Sequence, residues 1–168
     1  LLGEPGPVLL LAWGQARGAH ASSSSPGRPS VCQRVSGARR RTFPHNDWRA
    51  ADQLLQQLRP EYRRVLIVIE GVYSMDGDIP ELPKFIEVKR RHQALLMIDE
   101  AHSTFIYGRS GRGVGEEVGL EDEIDIHVGT LSKATGGQGG FVAGSSSLYK
   151  YLEGFAHSRL FSCGLSPV

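Results

Sequence analysis

From Pro44 onward the apolar positions alternate between helical spacing and unbroken runs. Ala51, Leu54, Leu55 and Leu58 share one helical face, Asp47 precedes them as an N-cap and Pro60 ends the run. This predicts a helix over 47–58. Val65 to Ile69 is a continuous β-branched and apolar stretch, the pattern of a strand buried on both faces of a parallel sheet. Leu82, Phe85, Ile86 and Lys89 define a second helical face. Asp78 is its expected cap, with Pro80 in the first turn and Glu81 completing a capping box. Ala94 to Ile98, Ile124 to Val128 and Phe141 to Ala143 read as further strands, and Ser145 to Phe155 as a helix. Residues 107–115 hold four glycines and no period, so they read as a loop. Strands alternating with helices predict an α/β fold, mostly parallel, with right-handed crossovers.

The first part of the chain differs in kind. Residues 1–44 contain six Arg and one Glu, a local charge of +5, and no Lys, Asp, Ile or Tyr. Gly, Pro, Ser and Ala dominate, including the run Ser22-Ser23-Ser24-Ser25-Pro26-Gly27. Residues 1–33 therefore read as a low-complexity, disordered or misassembled segment, and the start at Leu1 suggests truncation. The apolar run Val8 to Trp13 does not make a secretory signal, because no basic region precedes it and Glu4, Pro5 and Pro7 stand before it.

Composition narrows the function classes. Hydrophobic residues are 40% and charged residues 22%, as in a folded globular domain. A net charge of +1 gives no polybasic footprint, so neither a nucleic acid nor a membrane surface is an expected partner. Cys32 and Cys163 are too few for a disulfide scaffold or a Cys-based zinc site, and no metal site is expected. No stretch reaches the ~20 apolar residues of a membrane span, and a cytoplasmic location is expected.

The candidate chemistry lies after the strands. In open α/β sheets, ligands bind outside the carboxyl ends of strands. The first predicted strand is followed by Glu70-Gly71-Val72-Tyr73-Ser74-Met75-Asp76-Gly77-Asp78, and the second by Asp99-Glu100-Ala101-His102-Ser103. The third leads into Thr130-Leu131-Ser132-Lys133 and the glycines of Gly136 to Gly140. Lys133 stands before those glycines, whereas a P-loop needs its lysine after them. A lysine amine for an aldehyde, an acid for a pyridinium nitrogen and hydroxyls for a phosphate are the groups that a pyridoxal cofactor requires. Lys133, Asp99 and the Thr130/Ser132 pair supply those types.

Five stretches carry a resemblance: SGARRR to HND (36–47), EGVYSMDGDIPELP (70–83), ALLMIDEAHS (94–103), GRSGRGVGE (108–116) and GTLSKATGGQGGFVAG (129–144). Together they resemble the α-oxoamine synthases, fold-type-I pyridoxal-phosphate enzymes that share the aspartate-aminotransferase large domain. The resemblance covers residues 34–168 and implies the central part of that large domain, without the smaller C-terminal domain. It implies that Lys133 forms the Schiff base with pyridoxal 5'-phosphate and that Asp99 pairs with the pyridine nitrogen. By the same resemblance His102 hydrogen-bonds the phenolic oxygen, Ser74 lies near the ring, and Thr130, with Ser132 beside it, contacts the phosphate. His20 has the letters of a ring-stacking His-Ala-Ser motif. It stands 25 residues before His45, and a chance match in a low-complexity segment remains equally open. One departure stands out: the family carries a small residue where Phe105 follows Thr104, so the ring must either be tolerated in the loop or crowd the substrate side.

The implied reaction is a decarboxylative condensation of an amino acid with an acyl thioester, on coenzyme A or a carrier protein, in a homodimer. The chain as given is expected to be a fragment without turnover of its own. A catalytically inactive cofactor-binding or dimer-forming remnant is the alternative. A fold-type-I aminotransferase fits the SMDGD and SKATGGQGG segments less well.

Overall fold

The computed structural model describes residues 8–13 and 38–156. Six strands form one sheet: β1 (Val8–Trp13), β2 (Arg39–Phe43), β3 (Arg64–Glu70), β4 (Leu95–Asp99), β5 (Ile126–Thr130) and β6 (Gly140–Gly144). The helices are α1 (Trp48–Leu58), α2 (Leu82–His92), the short α3 (Val114–Glu117) and α4 (Ser146–Phe155). The strand order is β2-β1-β3-β4-β5-β6, parallel except for the antiparallel β5–β6 pair.

Two strands lie where none was expected. Val8–Trp13, within the segment read as low-complexity, is β1 and sits between β2 and β3. Leu9 and Leu11 are fully buried, in register with Val65 and Ile67 of β3. β2 carries no strand signal in the sequence, because Arg39-Arg40-Arg41 has no apolar period. It is an edge strand, where charged side chains are tolerated and discourage further pairing.

The sheet topology decides which face is covered. From β2 to β3, from β3 to β4 and from β4 to β5 the chain moves in one direction across the sheet. Right-handed crossovers then place α1, α2 and α3 on the same face. The core shows this: Ala51 and Leu55 of α1 and Leu82, Phe85 and Ile86 of α2 pack with Leu9, Leu11, Val65, Ile67, Ile69, Leu96 and Ile98. The alternate positions Leu10, Leu66, Val68 and Met97 are only half-buried. The expectation of a β3 buried equally on both faces is thus corrected, because consecutive same-direction crossovers load one side.

The helix ends follow local chemistry in two cases and depart from it in one. Asp47 accepts a hydrogen bond from the Ala50 amide at 3.0 Å, and Ser145 caps α4 through the Leu148 amide at 3.2 Å. Asp78 does not cap α2, whose N-cap is Glu81 and has no side-chain cap bond. Asp78 is instead held by His45 Nε2 at 2.9 Å and by Asn46 Nδ2 at 3.0 Å. This charged network outweighs a cap and ties the β3–α2 loop to the turn after β2.

Candidate functional site

The four central strands place their carboxyl ends side by side, and the predicted residues gather there. Asp99 ends β4, paired with Glu70 of β3 on one side and Val128 of β5 on the other. Its Oδ1 accepts the Ala101 amide at 3.0 Å, which turns the chain sharply after the strand. Residues 100–104 then fold back, so that His102 faces the segment after β5. Lys133 Nζ lies 2.7 Å from His102 Nε2. A lysine ammonium donates, so the ring nitrogen is the acceptor. Lys133 is exposed and His102 half-buried.

Thr130 and Ser132 form a second group. Their hydroxyl oxygens are 2.8 Å apart, and Thr130 Oγ1 also takes the Ser132 amide at 3.2 Å and donates to the Gly139 carbonyl at 3.1 Å. The Leu131 amide donates to Gly139 O and the Gly137 amide to Leu131 O, which closes the glycine-rich loop back onto the strand end. Ser74 lies on the loop after β3, where its amide donates to Glu70 Oε2 at 3.0 Å. The contacts of Ser74 and Asp99 are local, so the structure gathers these two by strand order and joins only Lys133 with His102 and Thr130 with Ser132. His20 lies outside the described residues.

Three residues that the sequence reading passed over support this edge. Glu100 is 1% exposed, although a buried carboxylate is uncommon. Glu70 holds the Ser74 loop. His45 reaches Asp78 and stacks edge-on against Tyr73, with ring centroids 4.4 Å apart. Burial, followed by the nearby Asp78 and Glu70 charges, pushes the Tyr73 phenol above its ordinary range, so it stays a neutral wall of this loop. The signal available for Glu100 was its place directly after Asp99 in a sequence otherwise turning away from the core.

Phe105 takes the left-handed backbone, φ 65°, at 58% exposure. That conformation is easy for glycine and uncommon for a bulky residue. The ring lines a cavity of about 230 Å³ with His127, Phe141 and Ala143. Register puts Ala143 and His127 level with Ile98 on the helix-covered face, whereas Asp99 alternates to the other. The ring is therefore accommodated at the loop and does not stand on the Asp99 side of the sheet.

The family model for aminotransferase class I and II matches residues 28–168. The chain belongs to this family. Its relatives are α-oxoamine synthases, as the five motifs implied. It is 43% identical over 136 residues to 8-amino-7-oxononanoate synthase of Fervidobacterium nodosum, covering 80% of this chain and 34% of that protein. It is 41% identical over 143 residues to human serine palmitoyltransferase 3, covering 80% of this chain and 26% of the relative. Among solved structures, the high-resolution serine palmitoyltransferase with its PLP internal aldimine superposes with a TM-score of 0.78 at 35% identity, over 98% of this chain and 38% of that one. The 8-amino-7-oxononanoate synthase of Francisella tularensis superposes with a TM-score of 0.63 at 27% identity, over 95% of this chain and 42% of that one. The fold is thus that of the fold-type-I transferases, and the chain spans about a third of the length of the curated relatives it matches. Among the described residues, no helix is long and apolar enough to cross a membrane.

Proposed function

We propose that this chain forms the cofactor wall of an α-oxoamine synthase, an acyltransferase that joins an amino acid to an acyl thioester with decarboxylation. The observation that carries the reading is the 2.7 Å contact between Lys133 and His102 at the strand edge that also presents Asp99, Thr130 and Ser132. The donor set fits pyridoxal 5'-phosphate: an amine within reach of an imidazole, a carboxylate ending the neighbouring strand, and a hydroxyl pair beside glycine amides. Bound there, the cofactor supplies an electron sink for a carbanion on the amino acid.

The chain's own groups divide the remaining work. Lys133 would hold the cofactor through its side-chain amine, the group that an aldehyde requires. Asp99 pairs with the ring nitrogen and keeps it protonated, a charge-assisted bond at the C-terminal end of a buried strand. His102 hydrogen-bonds the phenolic oxygen and steadies Lys133 beforehand. Thr130 and Ser132 hold the phosphate, and Ser74 bounds the ring from the β3 loop. The amino acid and the thioester, carried by coenzyme A or a carrier protein, complete the substrates. A second copy of the full-length protein is the expected partner at this edge.

The test is covalent capture. The 168-residue chain is mixed with pyridoxal phosphate, reduced with borohydride and mapped by peptide mass. The adduct is expected on Lys133 and is expected to vanish in Lys133→Ala. An adduct distributed over Lys84, Lys89 and Lys150 instead would refute the assignment. Capture at Lys133 without thiol release from any acyl thioester, in a full-length enzyme, would favour a binding-only remnant.

A further inference from the structure

We infer that Glu100 is a positioning residue, which sets His102 against Lys133 by locking the turn that follows β4. The inference takes the role of His102 and Lys133 from the function proposed above. The Glu100 carboxylate is buried and receives three donors: the Val114 amide at 3.1 Å on Oε2, the Gly115 amide at 3.1 Å on Oε1 and the Ser103 hydroxyl on Oε2. Its own backbone does as much. The Glu100 amide donates to Val128 O of β5 at 2.7 Å, and its carbonyl accepts the Ser103 amide at 3.0 Å, the Thr104 amide at 2.8 Å and the Thr104 hydroxyl at 2.7 Å. One residue thus joins β4, β5, the 100–104 turn and the start of α3.

The surroundings are shaped to this carboxylate. A Cβ on Gly71 would lie 2.2 Å from Glu100 Oε2, and one on Gly113 would lie 2.4 Å from its carboxyl carbon. Gly113 has φ 109°, open to glycine but rarely to any other residue. Gly71 also donates its amide to Asp99 O at 2.8 Å, so the same cradle borders Asp99. His102 is the central residue of the 100–104 turn, which Glu100 closes through Ser103 and Thr104. Its ring reaches Lys133 only while that turn stays closed. A buried carboxylate with three donors resists rearrangement, because each donor left unmade would cost its full desolvation penalty.

The experiment reads His102 directly and needs no cofactor. The full chain is labelled with ¹⁵N-histidine, and the His102 ring nitrogen shifts are recorded with and without Lys133→Ala. In the wild-type background Lys133→Ala is expected to move the Nε2 resonance. In Glu100→Gln, which puts an amide among three donors, the resonance is expected to start at the Lys133→Ala position and to lose its response to that change. Should Glu100→Gln not fold, Ser103→Ala keeps the carboxylate but removes one donor, and is expected to shift the resonance part of the way. Glu116→Gln loosens the neighbouring 108–112 loop without touching this turn, and is expected to leave His102 unmoved. A folded Glu100→Gln or Ser103→Ala chain with the wild-type resonance and its full response to Lys133→Ala would overturn the inference. A positive result alongside failed covalent capture would leave the positioning role intact and remove the cofactor reading.

Discussion

Phe105 offers a test in which the sign alone decides. Its φ of 65° lies in the left-handed region, which costs a residue with a Cβ about 1–2 kcal/mol. The loop enforces that angle: the Phe105 amide donates to Gly111 O at 2.7 Å, and a Cβ at Gly111 would lie 3.1 Å from Phe105 Cα. Comparing Phe105→Gly with Phe105→Ala removes the ring from both variants, so its partial burial cancels. At an ordinary position glycine is less stable than alanine by roughly 0.5–1 kcal/mol, from the greater freedom of the unfolded chain. Here relief of the left-handed penalty outweighs that entropy, and glycine is expected to be more stable than alanine by about 0.5–1 kcal/mol. In urea, with a slope of about 2 kcal/mol per molar, the glycine variant should unfold roughly 0.3–0.5 M later. The assay is equilibrium denaturation followed by far-ultraviolet circular dichroism on both variants. An alanine variant as stable as the glycine variant, or more so, would show that the loop relaxes its backbone in solution and that the strain argument fails.

Three further outcomes are expected. Asp99→Asn should leave the fold intact and weaken pyridoxal phosphate binding by about 1.5–3 kcal/mol, the value of a hydrogen bond to a charged group; equal affinity in a cofactor titration would count against the pairing. Gly71→Ala should cost on the order of 3 kcal/mol, because the new methyl meets the fixed Glu100 carboxylate 2.2 Å away; a thermal midpoint near that of the wild type would mean the cradle yields. Glu116 accepts the Ser110 hydroxyl at 2.6 Å and the Arg112 amide at 3.0 Å, and these bonds, with the Arg112 charge, lower its carboxyl to about 2. Its folded value is depressed below the unfolded value of about 4.5, so its stabilisation is present above that pH and fades as pH falls toward 2. Glu116→Gln should therefore flatten the acid limb of the stability curve between those values, a change that parallel acid titrations would detect.

Much of the helix and strand pattern follows from the sequence because the forces involved are local. Asp47 caps α1 and Ser145 caps α4 through bonds spanning three residues, and β3, β4, β5 and β6 lie within two residues of their expected places. The placement of the candidate site residues follows too, since Lys133, Asp99 and His102 each end or follow an apolar strand whose position is legible. β1 and β2 were hidden because a short apolar run and three arginines become strands only when neighbours satisfy their backbone groups. Asp78 departs from its expected cap for the same kind of reason: its partners His45 and Asn46 lie more than thirty residues away, and a cap is the strongest role only when nothing distant competes. Glu100 shows the limit most clearly. Its three carboxylate donors, Ser103, Val114 and Gly115, and the two glycines that make room for it, Gly71 and Gly113, come from three separate segments of the chain. The sequence by itself determined which candidate residues follow the carboxyl ends of the strands. Tertiary structure alone decided that a buried carboxylate, rather than the strand, holds the histidine turn in place, because a buried charge is stable only where the fold converges enough donors on it.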